Sequence, residues 1–276
     1  MTFIITLIAL VMERFFHWHH FRQWHWFLNY ERWLSEHSGR MPDMVRLIIS
    51  LTPPLVVIGV IGYLLSGWFY GIAELIFGVV VLLYCLGPYN LWVQVFHCID
   101  ELQKENPEMA IEAAKKSFGV SAIKNSQAFH KALVRAIFIA AHERIFSVIF
   151  WFVVLGPLGA VLYRLIDLFS MREELGLTDI ALKIKQAMDW IPVRIFTFIF
   201  ALGGHFTEVF AVWKTGFSKG LDSNENLLAD CGLAALDVME EDKIPEKGAA
   251  EKEALDLLDR VFAMALVLLA MIVIVI

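Results

Sequence analysis

The sequence predicts an all-α protein: a polytopic membrane bundle of about five or six apolar helical segments, with helical loops on the cytoplasmic side. Three observations predict it. Apolar residues make up 58% of the 276-residue chain and charged ones 19%, whereas a soluble domain holds about 45–50% and about 25%. The apolar residues gather into runs near the roughly 20 residues that cross a bilayer. No stretch shows the strict alternation of a half-buried strand.

Taken in order, residues 2–12 form the weakest run, a short span or a partly buried helix. Without a basic start or a small-residue cleavage site, this run is expected to stay on the chain. His17 to Phe27 is dense in His and Trp. Such a segment suits a helix lying among lipid headgroups. A metal reading would pair His17 with His20, but no Cys, Asp or Glu joins them at a ligand spacing. Residues 45–68 and 72–96 are each long enough to span, and their tight uncharged turn predicts a helical hairpin. Residues 145–168 carry Gly156-Pro157-Leu158-Gly159 at mid-depth, which predicts a re-entrant or sharply kinked segment. Residues 192–213, with Pro192 at the first helical position, and residues 261–276 complete the set.

The segments between are expected to be helical too. Met109 to Lys116 follows Pro107 with good helix formers throughout. Phe129, Leu133, Ile137 and Ala140 repeat at helical spacing within residues 127–144. Asp222 and Glu225 resemble a capping pair, and residues 242–253 read as a charged linker. The chain is thus divided into a membrane part (1–97), a cytoplasmic helical segment (98–144), a membrane core (145–213), a cytoplasmic helix with linker (214–259) and a final span (260–276).

Loop cations orient the bundle. Arg14, Arg32 and Arg46, then Lys104, Lys115 and Lys131, then Lys214 and Lys243 mark three cytoplasmic regions. One conflict arises: a single crossing by residues 145–168 would put Arg172, Lys183 and Lys185 outside, unless the chain turns back at Gly156–Gly159. The three cysteines, Cys85, Cys98 and Cys231, are widely spaced and read as core filler. The net charge of −6 says little, because Lys and Arg in particular loops matter more, but nothing here is basic or aromatic in the pattern of nucleic-acid binding, so no nucleic-acid partner is expected.

The candidate functional residues sit at span ends. Asp189-Trp190-Ile191-Pro192-Val193-Arg194 keeps both charge signs beside an apolar run, although a charge costs about 2.5–3.5 kcal/mol at a bilayer centre. Glu13-Arg14 ends the first run and Glu143-Arg144 precedes another. Each pair is either a helix end reaching water or a wall of a polar pocket. Tyr163, Arg164 and Asp167 could pair at helical spacing. His205, one turn before Glu208, could shuttle a proton or simply cap a helix. No phosphate-binding loop or nucleophilic triad is recognisable.

Asp189 to Arg194, with Glu13-Arg14, the stretch into Phe150-Trp151 and the apolar tail, resembles the AmpE family of inner-membrane proteins. The resemblance implies a multi-pass protein of the bacterial inner membrane, proposed as a sensor or signal modulator linked to cell-wall recycling and β-lactamase induction. No reaction comes with that family. A more distant similarity links the chain to the membrane-bound cobalamin-pathway synthases, which join an amine to a corrinoid carboxylate using ATP. Those enzymes carry a comparable Asp/Asn-Trp-Ile-Pro-Ala-Arg stretch. Their second signature falls near His142-Glu143-Arg144-Ile145-Phe146-Ser147, which retains the glutamate but lacks the Asn, Thr and Asp.

The leading expectation is therefore a regulatory membrane protein in contact with lipid. Glu13, Arg14, Glu143, Arg144, Asp189, Trp190, Arg194 and His205 would bind an anionic, muropeptide-like or nucleotide-like ligand at the cytoplasmic face. A protein partner in cell-wall recycling is also expected. The alternative is an ATP-dependent amide ligase, the one reading that brings in ATP and Mg as cofactors. A transporter ranks last, because the charges gather at span ends and no inverted repeat is visible.

Overall fold

The computed structural model describes residues 1–15, 24–37, 41–67, 71–87, 90–104, 107–121, 125–172, 176–236 and 248–275. Among these residues the regular elements are helical, as the sequence predicts. The elements are α1 (Thr2–Phe15), α2 (His25–His37), α3 (Asp43–Leu65), α4 (Ile72–Cys85), α5 (Leu91–Gln103), α6 (Pro107–Phe118) and α7 (Ser126–Ala141). A π-helical turn, His142–Phe146, leads into α8 (Ser147–Leu155). Then come α9 (Pro157–Ser170), α10 (Thr178–Gly203), α11 (Phe206–Gly216), α12 (Asn224–Ala234) and α13 (Ala249–Val275). The chain forms two compact units, Met1–Pro88 with Ser147–Asp189, and Tyr89–Phe146 with Trp190–Ile276.

In the first unit, α3 is 23 residues long, and its most apolar 18 residues have mean hydropathy 2.2. At 1.5 Å per residue it measures about 35 Å, enough to cross a hydrocarbon core. Pro53 and Pro54 lie inside it and cannot donate to the carbonyls four residues earlier. The Tyr30 hydroxyl of α2 donates to one of these, Ile49 O, at 3.4 Å. A second tie joins the same helices. Arg46 donates through Nε and Nη2 to Glu31 Oε1 at 3.0 and 2.6 Å, and Ser50 Oγ donates to Glu31 Oε2 at 2.6 Å. Glu31 is buried, so Arg46 is a bonded helix residue as well as a loop cation. α4 packs on α1 through Gly78, where an added Cβ would lie 2.7 Å from Ile5 Cδ1.

The expected interruption at Gly156–Gly159 is present. Gly156 takes φ 66° and ψ −155°, a conformation essentially restricted to glycine. Pro157 opens α9 at a position where its missing N–H costs nothing. α8 and α9 pack against each other instead of continuing in line. Gly159 sits on the α8 backbone, with an added Cβ 2.2 Å from Trp151 O.

The second unit is built around α7, whose N-cap Asn125 accepts from Gln127 N at 3.0 Å. Phe138 of α7 lies against Gly232 of α12, where an added Cβ would come within 2.3 Å of the ring. Phe138, Phe200, Phe196 and Phe146 form a chain of ring contacts with centroids 5.1, 4.8 and 4.4 Å apart. α13 packs on α5 and α7.

Several boundaries differ from expectation, each for a local reason. The expected span 72–96 is two helices: α4 ends at Cys85, and Asn90 starts α5 by accepting from Val93 N at 3.2 Å. Leu86, extended at φ −59° and ψ 141°, ends α4, and the asparagine supplies the new start. Pro192 lies inside α10, not at its first turn, and its lack of an N–H affects only one carbonyl. The stretch 171–188 is helical from Thr178, so Lys183 and Lys185 are helix residues and not loop cations. Residues 192–213 are split at Gly204, packed where an added Cβ would lie 2.7 Å from Ala235 O. Residues 249–253, assigned to a linker, begin α13. There Glu251 is buried and paired with His130 Nδ1 at 2.7 Å. The helix α12 is preceded by Ser223, not Asp222, at its N-cap.

Among the described residues, two helical stretches are long and apolar enough to cross a membrane, Asp43–Leu65 and Ser126–Leu155. Ile72–Cys85 is apolar but shorter. Five or six spans are therefore more than these helices establish. Residues 17–23 of the His/Trp segment, the turn at 68–70 and residues 242–247 of the linker lie outside the described residues.

Replacing Gly159 by Val is expected to lower the unfolding midpoint in mild detergent markedly, because the clash is with backbone and not with a movable side chain. Circular dichroism against temperature reads this directly. An unchanged midpoint would mean that α8 and α9 do not meet there.

Candidate functional site

The expected site residues are divided between the units. Glu13, Arg14 and Asp189 belong to the first, and Glu143, Arg144, Trp190, Arg194 and His205 to the second. Glu13 is buried and Arg14 half-buried at the end of α1.

In the first unit, α9 and the first half of α10 are bridged by a buried polar ladder. Tyr163 and Asp167 stand one helical turn apart on α9, and so do Lys185 and Asp189 on α10. Tyr163 OH donates to Asp189 Oδ1 at 2.8 Å, and Ser147 Oγ of α8 donates to the same oxygen at 3.0 Å. On the other rung, Lys185 Nζ lies 2.8 Å from Asp167 Oδ1. Arg164 Nη1 donates to Asp167 Oδ2 at 2.6 Å. The rungs run in opposite chain order, so these helix segments are antiparallel. All six side chains belong to residues that are at least nine-tenths buried. Two cations and two carboxylates balance to zero formal charge, which the dry surroundings require. The pairing of Arg164 with Asp167 matches the sequence expectation. Ser147 and Lys185 were missed; the spacing of Lys185 to Asp189 was the available signal.

In the second unit, Arg194 is almost saturated. Nε donates to Phe217 O at 2.9 Å, and Nη2 to Lys219 O at 3.0 Å. Nη1 donates to Trp190 O at 2.8 Å and Asn224 Oδ1 at 2.9 Å. Its guanidinium carbon stacks 4.1 Å from the Trp190 ring centroid. Trp213 Nε1 donates to Arg194 O at 3.0 Å. The motif thus holds the loop between α11 and α12 against α10.

Glu143 and Arg144 fall in the π-helical turn, a local widening often found at functional positions. Arg144 donates to Gln94 Oε1 at 2.6 Å and Ser117 O at 3.0 Å, tying α5 and α6 to the turn. His205 is exposed at the N-cap of α11 and makes no side-chain cap bond there. Among the described residues no group of three or more His, Cys, Asp or Glu is arranged to hold a metal ion. All three cysteines are buried. Desolvation raises the Cys98 thiol to about 11 and the Cys231 thiol to about 12, which suits packing residues.

The motif that Arg194 anchors lies within a match extending over nearly the whole sequence: the family model described as "Regulatory signalling modulator protein AmpE" aligns with residues 1–275. The chain belongs to the AmpE family. It is also 26% identical over 114 residues to a protein named cobalamin biosynthesis protein CobD from Chromobacterium violaceum. That match covers 39% of this chain and 36% of the relative, so the chain spans about a third of the relative's length. No solved structure matches. AmpE membership makes a regulatory membrane protein the coarse assignment.

Asp167→Ala would leave Arg164 and Lys185 buried without their counter-charge, a loss expected near 3–5 kcal/mol. Tyr163→Phe removes one bond to a carboxylate, expected nearer 1.5–3 kcal/mol. Denaturant unfolding of both variants in detergent should rank Asp167→Ala as the more severe. The opposite ranking would show that the Asp167 rung is not the stabilising one.

Proposed function

We propose that this AmpE-family chain is a multi-pass protein of the bacterial inner membrane that senses an anion at the cytoplasmic face and passes that state to the β-lactamase induction system. The family match over residues 1–275 supports the regulatory part. The observation that carries the sensing part is how Arg194 spends its donors. Its Nε and Nη2 edge, the edge that binds carboxylate or phosphate bidentately, is filled by the carbonyls of Phe217 and Lys219. A muropeptide carboxylate or a nucleotide-like phosphate would take that edge by displacing the loop. Binding and loop release then become one event. Asp189 and Trp190 position the arginine's helix, and Trp190 keeps its stack on the guanidinium. Glu13, Arg14, Glu143, Arg144 and His205 are assigned no ligand contact in this mechanism.

Arg194→Ala and Arg194→Lys, at matched protein level in cells, are expected to change β-lactamase inducibility several-fold, alanine more than lysine. Arg194→Ala in inside-out vesicles should also speed tryptic cleavage after Lys219. Faster cleavage with normal inducibility would leave the arginine as a loop tie alone.

The partial match to the cobalamin biosynthesis protein supports a second reading, an ATP-dependent amide ligase. Ligand binding to the native state at one hundred times Kd stabilises it by about 2.7 kcal/mol. Under this reading, saturating ATP with Mg must raise the melting temperature of the purified protein by several degrees. An unmoved midpoint removes it.

A further inference from the structure

The first unit contains a cavity of about 420 Å³ that shares no lining residue with the buried ion ladder. α2 contributes Trp26 and Tyr30 to its wall, α3 contributes Val57, α4 contributes Val80 and Tyr84, and α9 contributes Val161. The size is that of a ligand site, since such sites occupy roughly 300–1,000 Å³. The lining chemistry is unusual for a water-soluble ligand. Among the described residues no charged side chain lines the cavity, and the polar atoms of Trp26 and Tyr30 are turned to partners. Trp26 Nε1 donates to Tyr84 OH at 2.7 Å, and Tyr30 OH donates to the Ile49 carbonyl exposed by Pro53. Among the described residues, what remains toward the cavity is aliphatic carbon and ring face, with no convergent polar groups to orient a polar molecule.

The cavity is continuous with the outer apolar surface. Val57 and Val80 both line it and stand 55% and 58% exposed. Beside them on α3, Val56, Val60 and Ile61 are exposed as well. That helix is one of two among the described residues that are long and apolar enough to cross a membrane, and only 22% of its most apolar 18 residues are buried. The Trp26–Tyr84 pair has the amphipathic character of residues that settle where hydrocarbon meets headgroups. We infer that the cavity opens sideways into the bilayer and holds one acyl chain of a membrane phospholipid, with Trp26 and Tyr84 at its rim. This rests on the membrane placement proposed above.

The test uses the full-length protein in phosphatidylethanolamine and phosphatidylglycerol vesicles doped with a phosphatidylethanolamine carrying a diazirine within one acyl chain. After irradiation, adducts are mapped by peptide mass spectrometry. Val81 and Val161 line the cavity and are only 6% and 3% exposed, so adducts there require a chain inside it. The expected result is labelling of Val81 or Val161 together with the outer face at Val56 and Val60. Val80→Trp, or separately Val57→Trp, should fill the mouth and cut the inner adducts several-fold while leaving the outer ones unchanged. Outer labelling without inner labelling, or inner labelling indifferent to both tryptophans, overturns the acyl-chain site while leaving the membrane placement intact. No labelling anywhere on α3 overturns the placement and the site together.

Discussion

A carboxylate taken out of water must bring its counter-charge with it, and Asp167 meets that demand from two sides. Arg164 reaches it from the next turn of its own helix, and Lys185 reaches it from α10. With Asp189 accepting from Tyr163 and Ser147, the pairing fixes which faces of α9 and α10 meet and in which direction. A one-residue rotation of either helix would strand ions where desolvation is expensive. Apolar packing alone is more forgiving, since one leucine can replace another across a helix contact. The polar ladder therefore supplies register, and the surrounding aliphatic residues supply bulk.

The all-helical class was legible because composition and run length are global properties. The break at Gly156 was legible too, since glycine followed by proline is a strong local stop. Other boundaries were hidden by the same apolar composition that revealed the class. Residues 72–96 are apolar almost throughout, so hydropathy did not register that one helix ends at Cys85 and another starts after Asn90. Pro192 was read as a helix start, yet the helix formers from Thr178 onward run through it. Charge at Glu251, Lys252 and Glu253 makes residues 249–253 read as linker. Burial of Glu251 against His130 makes them part of α13, and that contact spans 121 positions in sequence.

At the candidate site, position was easier to read than role. Asp189 and Arg194 stood out as charges beside an apolar run, and the family match covers them. Their partners are mostly invisible in sequence. Ser147 and Tyr163 are ordinary residues of apolar helices, and three of the four groups that Arg194 binds are backbone carbonyls. Arg144 shows the same pattern, spending one donor on Ser117 O. An arginine beside a tryptophan suggests a clamp for an outside anion; here the fold itself occupies the clamp.

That the tie at Arg194 reads main-chain oxygen has an evolutionary side. Any amino acid offers a carbonyl at position 219, so that side chain is free to drift without loosening the attachment, whereas Phe217 also stacks its ring 4.8 Å from Trp213. Asn224 is the exception, because it is recognised through its amide oxygen. The loop can thus vary its exterior at Lys219 while its anchorage stays constant. Variation would be tolerated at Lys219 and penalised at Arg194 and Asn224.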